Sequence, residues 1–260
     1  GELKSKPIVE KRQLQSSLIL DLAVTSRGNI VAAGHLDSTT KIYDTNYTLM
    51  KDIGKYFWYV TVTSDDQLIF TDGSRTIYFY TADGNHIRNI TVKGSPSLLH
   101  GITTLSTGQL VVCDETTKRV YSVDSYSGVA TPISVSGLFA LPFDVTTNSK
   151  SIVIVSDFSR NSIKGLNQTG NVIFTYGTRG SGEGQFSYPH GVVTDAMDYI
   201  VVADSSNNRI HLLTPDGMFH SYLLTASDGV VLPYAVSINQ AGQLLVGDRN
   251  GQLFIITYRE

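Results

Sequence analysis

The chain has 260 residues, of which 41% are hydrophobic, 20 are basic and 23 are acidic, for a formal net charge of −3. This length and composition suit one globular domain and exclude a low-complexity protein. No apolar run reaches the 18 residues that a membrane-spanning helix needs, and a single cysteine, Cys113, excludes an internal disulfide and a cysteine-rich zinc cluster.

At the start of the chain, residues 7–14 (PIVEKRQL) precede the first repeat, and six repeats then follow over about 18–260. The sixth repeat contains only three strands before the sequence ends at Glu260. We expect residues 7–14 to supply its missing outer strand, which would close a ring of sheets and remove exposed edges. Residues 1–260 would then form a single domain.

Each repeat contains an apolar segment that ends in an aspartate, which we call the closing aspartate. These residues are Asp72, Asp114, Asp157, Asp204 and Asp248, and Gly34 stands where the first is expected. Successive positions are 38 to 47 residues apart. A period of about 40 to 45 residues with several short strands indicates β-propeller blades, whereas helical repeats would show a 3.6-residue apolar rhythm. The sequence therefore predicts an all-β, six-bladed β-propeller.

The fifth repeat shows the unit most clearly. Its predicted strands are Gly191–Thr194, Tyr199–Ala203, Arg209–Thr214 and Met218–Leu223. Asp216-Gly217 supplies the positive φ of a tight hairpin turn. The apolar run YIVVAD is continuous rather than alternating, as expected for a strand buried on both faces between neighbouring blades.

The motifs GEGQF, PHGV, VADSSNNRI and TPDG in this fifth repeat resemble the NHL repeat, and the resemblance implies a six-bladed NHL propeller. NHL propellers often form the C-terminal part of TRIM-type proteins, in which a RING domain recruits the ubiquitin-conjugating enzyme and the propeller selects a partner. This chain contains no RING. We therefore expect this chain to be a recognition domain that is not itself an enzyme. It would belong to a larger cytoplasmic protein. That protein could be a ubiquitin ligase and could oligomerise through a coiled coil outside this chain.

Fourteen residues before each closing position, the sequence places a ring of mostly aromatic or histidine residues. They are Leu20, Trp58, His100, Phe143, His190 and Tyr234. These positions begin the innermost strands and should surround the mouth of the central channel. They could be packing residues at blade junctions or a ligand-binding platform, and the presence of the only tryptophan favours binding.

Basic residues follow the closing positions on the same side of the propeller. We assign six of these basic residues to the ligand-binding face, beside the ring of aromatic and histidine residues. They are Arg75, Lys118, Arg119, Arg160, Arg209 and Arg249. Cations among aromatic rings favour nucleic acid, because they hold phosphates and stack on bases. The alternative is that Arg209 and its equivalents pair with the closing aspartates.

The expected partner is a protein or an RNA, with no membrane or DNA binding. The pI near 6.1 argues against strong electrostatic binding of nucleic acid. A minor alternative is a lyase, because peptide-amidating lyases resemble this chain at PHG and would use His100 and His190 as zinc ligands. Leu20 stands where a third ligand would be needed, so we expect no metal and no cofactor. A calcium-dependent lactonase, using Asp21 and Asp144, and a structural assembly domain are further alternatives.

Overall fold

The computed structural model describes residues 1–35 and 38–260, which contain β-strands and two short 3-10 helices, Ser205–Asn207 and Ala226–Asp228. Blade 1 comprises β2 (Asp21–Val24), β3 (Ile30–Ala33), β4 (Lys41–Tyr43) and β5 (Leu49–Asp52). Blade 2 comprises β6 (Tyr59–Val62), β7 (Leu68–Thr71), β8 (Thr76–Tyr80) and β9 (His86–Thr91). Blade 3 comprises β10 (Leu99–Thr104), β11 (Leu110–Asp114), β12 (Arg119–Val123) and β13 (Ala130–Pro132).

Blade 4 comprises β14 (Pro142–Thr147), β15 (Val153–Asp157), β16 (Ser162–Leu166) and β17 (Val172–Tyr176). A two-stranded parallel sheet of β18 (Thr178–Arg179) and β19 (Gln185–Phe186) follows. Blade 5 comprises β20 (Pro189–Thr194), β21 (Ile200–Asp204), β22 (Arg209–Leu213) and β23 (Phe219–Leu224). Blade 6 comprises β24 (Pro233–Ile238), β25 (Leu244–Asp248), β26 (Gln252–Arg259) and, from the other end of the chain, β1 (Leu3–Gln13).

The prediction of an all-β six-bladed propeller is therefore confirmed. The predicted closure is confirmed as well, because β1 pairs with β26 in an antiparallel register that aligns Val9 with Ile256 and Gln13 with Gln252. This closing strand begins at Leu3, earlier than the predicted residue 7. The strands of blade 5 begin and end within one residue of their predicted limits, except that β20 begins two residues early, at Pro189, which pairs with Asp204.

The core lies between the blades, as the continuous apolar runs predict. Every residue of β11, β15, β21 and β25 is buried. Their valine and isoleucine side chains suit a strand that is covered on both faces. No described residue belongs to a helix that is long and apolar enough to cross a membrane.

Candidate ligand-binding site

The six residues of the predicted ring meet at the mouth of the central channel. Each lies at or next to the first residue of an innermost strand, so the ring contains one residue from every blade. All six line a single cavity of about 360 Å³, which we call the cup. This volume is in the range of cavities that hold small organic ligands.

Aromatic contacts connect the ring from blade to blade. The Phe143 ring lies between the two histidines, with its centroid 4.8 Å from that of His100 and 4.7 Å from that of His190. His190 in turn lies 4.6 Å from Tyr234, and Trp58 lies 5.4 Å from His100. Mutual packing of this kind fixes the orientation of the rings before any ligand arrives.

The sequence prediction considered only one position in each blade, and it therefore missed further residues of the cup. Leu18, His35, Tyr59 and Phe158 also line the cavity. Phe158 stacks on Phe143 with a centroid separation of 5.0 Å. Both His35 and Phe158 come directly after a closing position, so the same repeat alignment, shifted to that position, would have found them.

In blade 2 the residue directly after the closing aspartate is a glycine, Gly73, which makes room for the ring of Trp58. Gly73 follows Asp72 and has φ of +81°. A Cβ atom there would lie 2.5 Å from the ring of Trp58. The indole therefore lies directly over the glycine backbone, and any side chain at residue 73 would displace it.

Burial favours the neutral form of two of the cup histidines, His100 and His190. Burial lowers the pKa of His100, although Glu115 beside it opposes the shift. Burial also lowers the pKa of His190 to about 3, and the nearby His100 adds to this effect. Nε2 of His100 lies 2.7 Å from Oε2 of Glu115, so the carboxylate accepts a hydrogen bond from the ring and leaves Nδ1 as the unprotonated nitrogen.

Three of the predicted binding cations donate hydrogen bonds to groups of the propeller itself. Arg119 donates two hydrogen bonds to the Ser134 carbonyl, at 2.8 and 2.6 Å. Arg160 donates to the carbonyls of Leu138 and Gly137. The guanidinium groups of Arg119 and Arg160 thus bind backbone carbonyls in irregular segments of the chain. The sequence pattern could not show these contacts.

Arg209 likewise follows the alternative interpretation. Its Nε donates to Oδ2 of the closing aspartate Asp204 at 2.7 Å, and its other nitrogens donate to carbonyls of the 181–185 loop. Arg75, Lys118 and Arg249 are exposed, as is Arg160.

Two aspartates lie deeper in the channel. Asp21 accepts a hydrogen bond from the Val60 backbone of the next blade at 2.9 Å, and Asp144 accepts one from Val192 at 2.9 Å. They belong to blades 1 and 4, which are opposite each other in a ring of six. Burial raises the pKa of Asp144 to about 7, and burial and Asp144 together raise that of Asp21 well above its usual range.

In residues 1–35 and 38–260, no group of three or more histidine, cysteine or acidic side chains could hold a metal ion. The two candidate zinc ligands, His100 and His190, are separated by the ring of Phe143, which packs against both.

The fold and the cup define a six-bladed β-propeller with an aromatic cavity at its channel mouth. Within it, residues 186–211 match the family model described as NHL repeat. A search of curated proteins by sequence finds no match.

Solved structures similar to this chain include enzymes and a binding protein. A streptogramin B lyase superposes with a TM-score of 0.71 at 13% identity, covering 100% of both chains. A putative gluconolactonase gives a TM-score of 0.77 at 16% identity, covering 96% of this chain and 92% of its own. An auxiliary nutrient binding protein from Bacteroides ovatus gives 0.74 at 11% identity, covering 99% of this chain and 78% of its own.

These comparisons contradict the prediction that the chain is not an enzyme. The same six-bladed frame, over almost the whole chain, is found in a lyase and in a putative gluconolactonase. At 13% and 16% identity the likeness shows the fold alone, so it removes the exclusion of catalysis without assigning a reaction.

Proposed function

We propose that this NHL-repeat propeller binds a small organic molecule with a flat apolar body in the cup. The observation that carries the proposal is the cavity itself, which is about 360 Å³ in volume and lined by Trp58, Phe143, Phe158 and Tyr234. Aromatic walls with a few polar atoms are typical of small-molecule sites. The rings are already packed on one another, so binding requires little ordering of side chains.

The cup supports this ligand better than the RNA partner considered above. RNA requires cations that are free to meet phosphates along the rim. Arg119, Arg160 and Arg209 donate to groups of the propeller itself, and the cavity is lined mainly by apolar atoms. The NHL resemblance suggests a more specific form of this proposal. In it, the chain belongs to a TRIM-type protein, and the cup selects a protein partner by binding one of its apolar side chains.

The single tryptophan provides the test, because Trp58 lies in the wall of the cup. A suitable probe is para-nitrophenol, a flat phenol that absorbs where tryptophan emits. We expect saturable quenching of the fluorescence, and we expect Phe143→Ala or Tyr234→Ala to weaken binding at least tenfold. The matched control is Tyr126→Ala, which removes a ring that is 86% exposed and does not line the cup, and should leave the affinity unchanged.

Failure would take a clear form. Quenching that does not saturate, or that is equally affected by the Tyr126 and Tyr234 substitutions, would remove the cup as the binding site. A retarded band with single-stranded RNA at low salt, lost on Arg75→Ala or Arg249→Ala but unchanged by Tyr234→Ala, would favour the nucleic-acid interpretation instead.

A second candidate function is a chemical change of the bound ligand, which the His100–Glu115 pair favours. A neutral imidazole that is oriented by a carboxylate is an arrangement used by general bases. The names of the structural neighbours suggest first probes: gluconolactone, followed by acid release at constant pH, and a streptogramin B antibiotic, followed by mass spectrometry. Loss of turnover in His100→Gln would support this candidate if turnover is kept in the control His220→Gln, which changes an exposed histidine. Rates equal to the uncatalysed ones would oppose it.

A further inference from the structure

In blades 3, 4 and 6 the same backbone hydrogen bond places the residue after the closing position, and in blade 4 that residue, Phe158, lines the cup. The backbone N–H of Glu115 donates to the Leu98 carbonyl at 3.0 Å, and that of Phe158 donates to Leu141 at 3.0 Å. In blade 6, Arg249 donates to Leu232 at 3.2 Å. In each case the accepting leucine lies two residues before the ring residue of the same blade. Glu115 and Arg249 therefore occupy the position that places Phe158 in the cup wall.

The two charged residues adjoin the cup through their neighbours. Glu115 contacts Nε2 of His100, a lining residue, with one carboxylate oxygen, and its side chain is 44% exposed. Arg249 is exposed and, among the described residues, forms no ion pair. Burial raises the pKa of the Tyr234 hydroxyl, and the nearby Arg249 guanidinium opposes that shift, which agrees with its position beside the cup.

These two charges have opposite signs and stand on opposite sides. Blades 3 and 6 face each other in a ring of six, and the wall between them is apolar. The residues at the equivalent rim position are His35, Gly73, Glu115, Phe158, Ser205 and Arg249. Glu115 and Arg249 are the two formal charges in that set. The rim thus carries a negative end and a positive end across an apolar floor.

We infer that the ligand is a short peptide with free termini and apolar or aromatic side chains, whose ammonium group meets Glu115 and whose carboxylate meets Arg249. This inference rests on the proposed function and names its ligand class. Guanidinium groups bind carboxylates through two parallel hydrogen bonds, and an ammonium group matches a carboxylate that has an unused oxygen. The apolar side chains would lie on Phe143 and Tyr234.

The separation of the charges selects a peptide over a single amino acid. Adjacent rings around the cup are 4.6 to 4.8 Å apart from His100 to Tyr234, and opposite corners of a hexagon lie two sides apart. An α-amino acid carries both charges on one carbon and cannot reach both ends. A peptide of two or three residues can do so, because it extends about 3.5 Å per residue and each terminal hydrogen bond adds about 2.9 Å.

The test uses phenylalanyl-phenylalanine, its N-acetylated form and its C-terminal amide, each titrated against Trp58 fluorescence. With the unsubstituted protein we expect each cap to weaken binding about tenfold. Acetylation should have little further effect in Glu115→Gln, and amidation should have little further effect in Arg249→Gln. This pairing of ligand and protein changes isolates each contact from general effects of the substitution. Melting temperatures would verify that both variants fold.

The outcomes separate the two proposals. Equal affinities for the free and capped dipeptides would overturn the peptide-termini assignment while leaving the cup as a binding site. Saturable binding of para-nitrophenol with no binding of any dipeptide would do the same. If neither the phenol nor the dipeptides bind, the proposed function itself fails, and this inference fails with it. Caps whose effects are unchanged in Glu115→Gln and Arg249→Gln would also contradict the assignment.

Discussion

In blades 3 to 6 the closing aspartate holds the blade to the chain segment that enters it. Asp114, Asp157 and Asp204 have fully buried carboxylates. Oδ1 of Asp114 accepts the backbone N–H of Leu98 at 2.9 Å, and Oδ1 of Asp204 accepts that of Ser187 at 2.7 Å. A short acidic side chain fits this place because it meets N–H groups of a connection that has no strand partner. The residue that defined the repeat in the sequence therefore has a structural role.

Substitution of these aspartates should have unequal effects. Asp204 also accepts hydrogen bonds from Arg209 and His211, both largely buried, so Asp204→Ala should lower the free energy of unfolding by about 3–5 kcal/mol. Asp72 is partly exposed and binds Ser74 and Tyr78 instead, so Asp72→Ala should cost roughly 1 kcal/mol. Urea unfolding of the two variants measures the difference. Equal losses would contradict the distinction between a buried network and a surface turn.

Single residues also set the limit of sequence-based prediction for the site. The ring from Trp58 to Tyr234 could be located because the repeat fixes its spacing. The partners of Arg119 and Arg160 could not be predicted, because the carbonyls that they bind lie in irregular connections with no periodic signal. The ligand-binding role of the ring stays a prediction, and the fluorescence titrations test it.

Ring closure depends on one strand, β1, that is distant in sequence from the blade it completes. The strand carries Lys, Glu and Arg side chains on its exposed face, while Val9 packs against the core shared by blades 5 and 6. Without it, β26 would present an open edge with unpaired backbone groups.

Deletion of residues 1–13 should therefore lower the melting temperature by at least about 5 °C, because a loss of a few kcal/mol shifts a protein of this size by that much. Leu14 is kept because it is buried in the core shared by blades 1 and 6. The matched control is Ile8→Lys, which changes a side chain that is 57% exposed and should leave the melting temperature within about 1 °C. A truncated protein that melts like the full chain would show that β1 contributes little.

Regular elements were the most predictable part of the fold. The second strand of each blade is an uninterrupted apolar run before its closing position, and this pattern locates β11, β15, β21 and β25. The pair β18 and β19 was not predicted, because strands of two residues are too short to show periodicity. The sequence also did not predict that β1 begins at Leu3. Its first residues, LKSK, include two lysines and show no apolar pattern.

For the whole molecule, the dependence of stability on pH combines two opposing sets of buried groups. The raised pKa of Asp144, about 7 against roughly 3.9 when unfolded, means that the folded state binds the extra proton. Its contribution to stability is present at low pH and is lost as the pH rises from about 4 to 7. The lowered pKa of His190, about 3 against roughly 6.5 when unfolded, acts in the reverse direction. Its contribution is present above about pH 6.5 and is lost on acidification.

Because the two effects overlap between about pH 4 and 6.5, the unsubstituted protein should show a flatter profile than either group alone would give. In Asp144→Asn, the melting temperature relative to the original chain should become more favourable as the pH rises from 4 to 7. In His190→Phe, which keeps the aromatic contacts with Phe143 and Tyr234, it should become more favourable as the pH falls over the same interval. The controls Asp83→Asn and His220→Phe change exposed side chains of the same two types. Parallel profiles for all four variants would mean that Asp144 and His190 titrate as they do in the unfolded chain, and the burial that shifts both pKa values would then be incorrect.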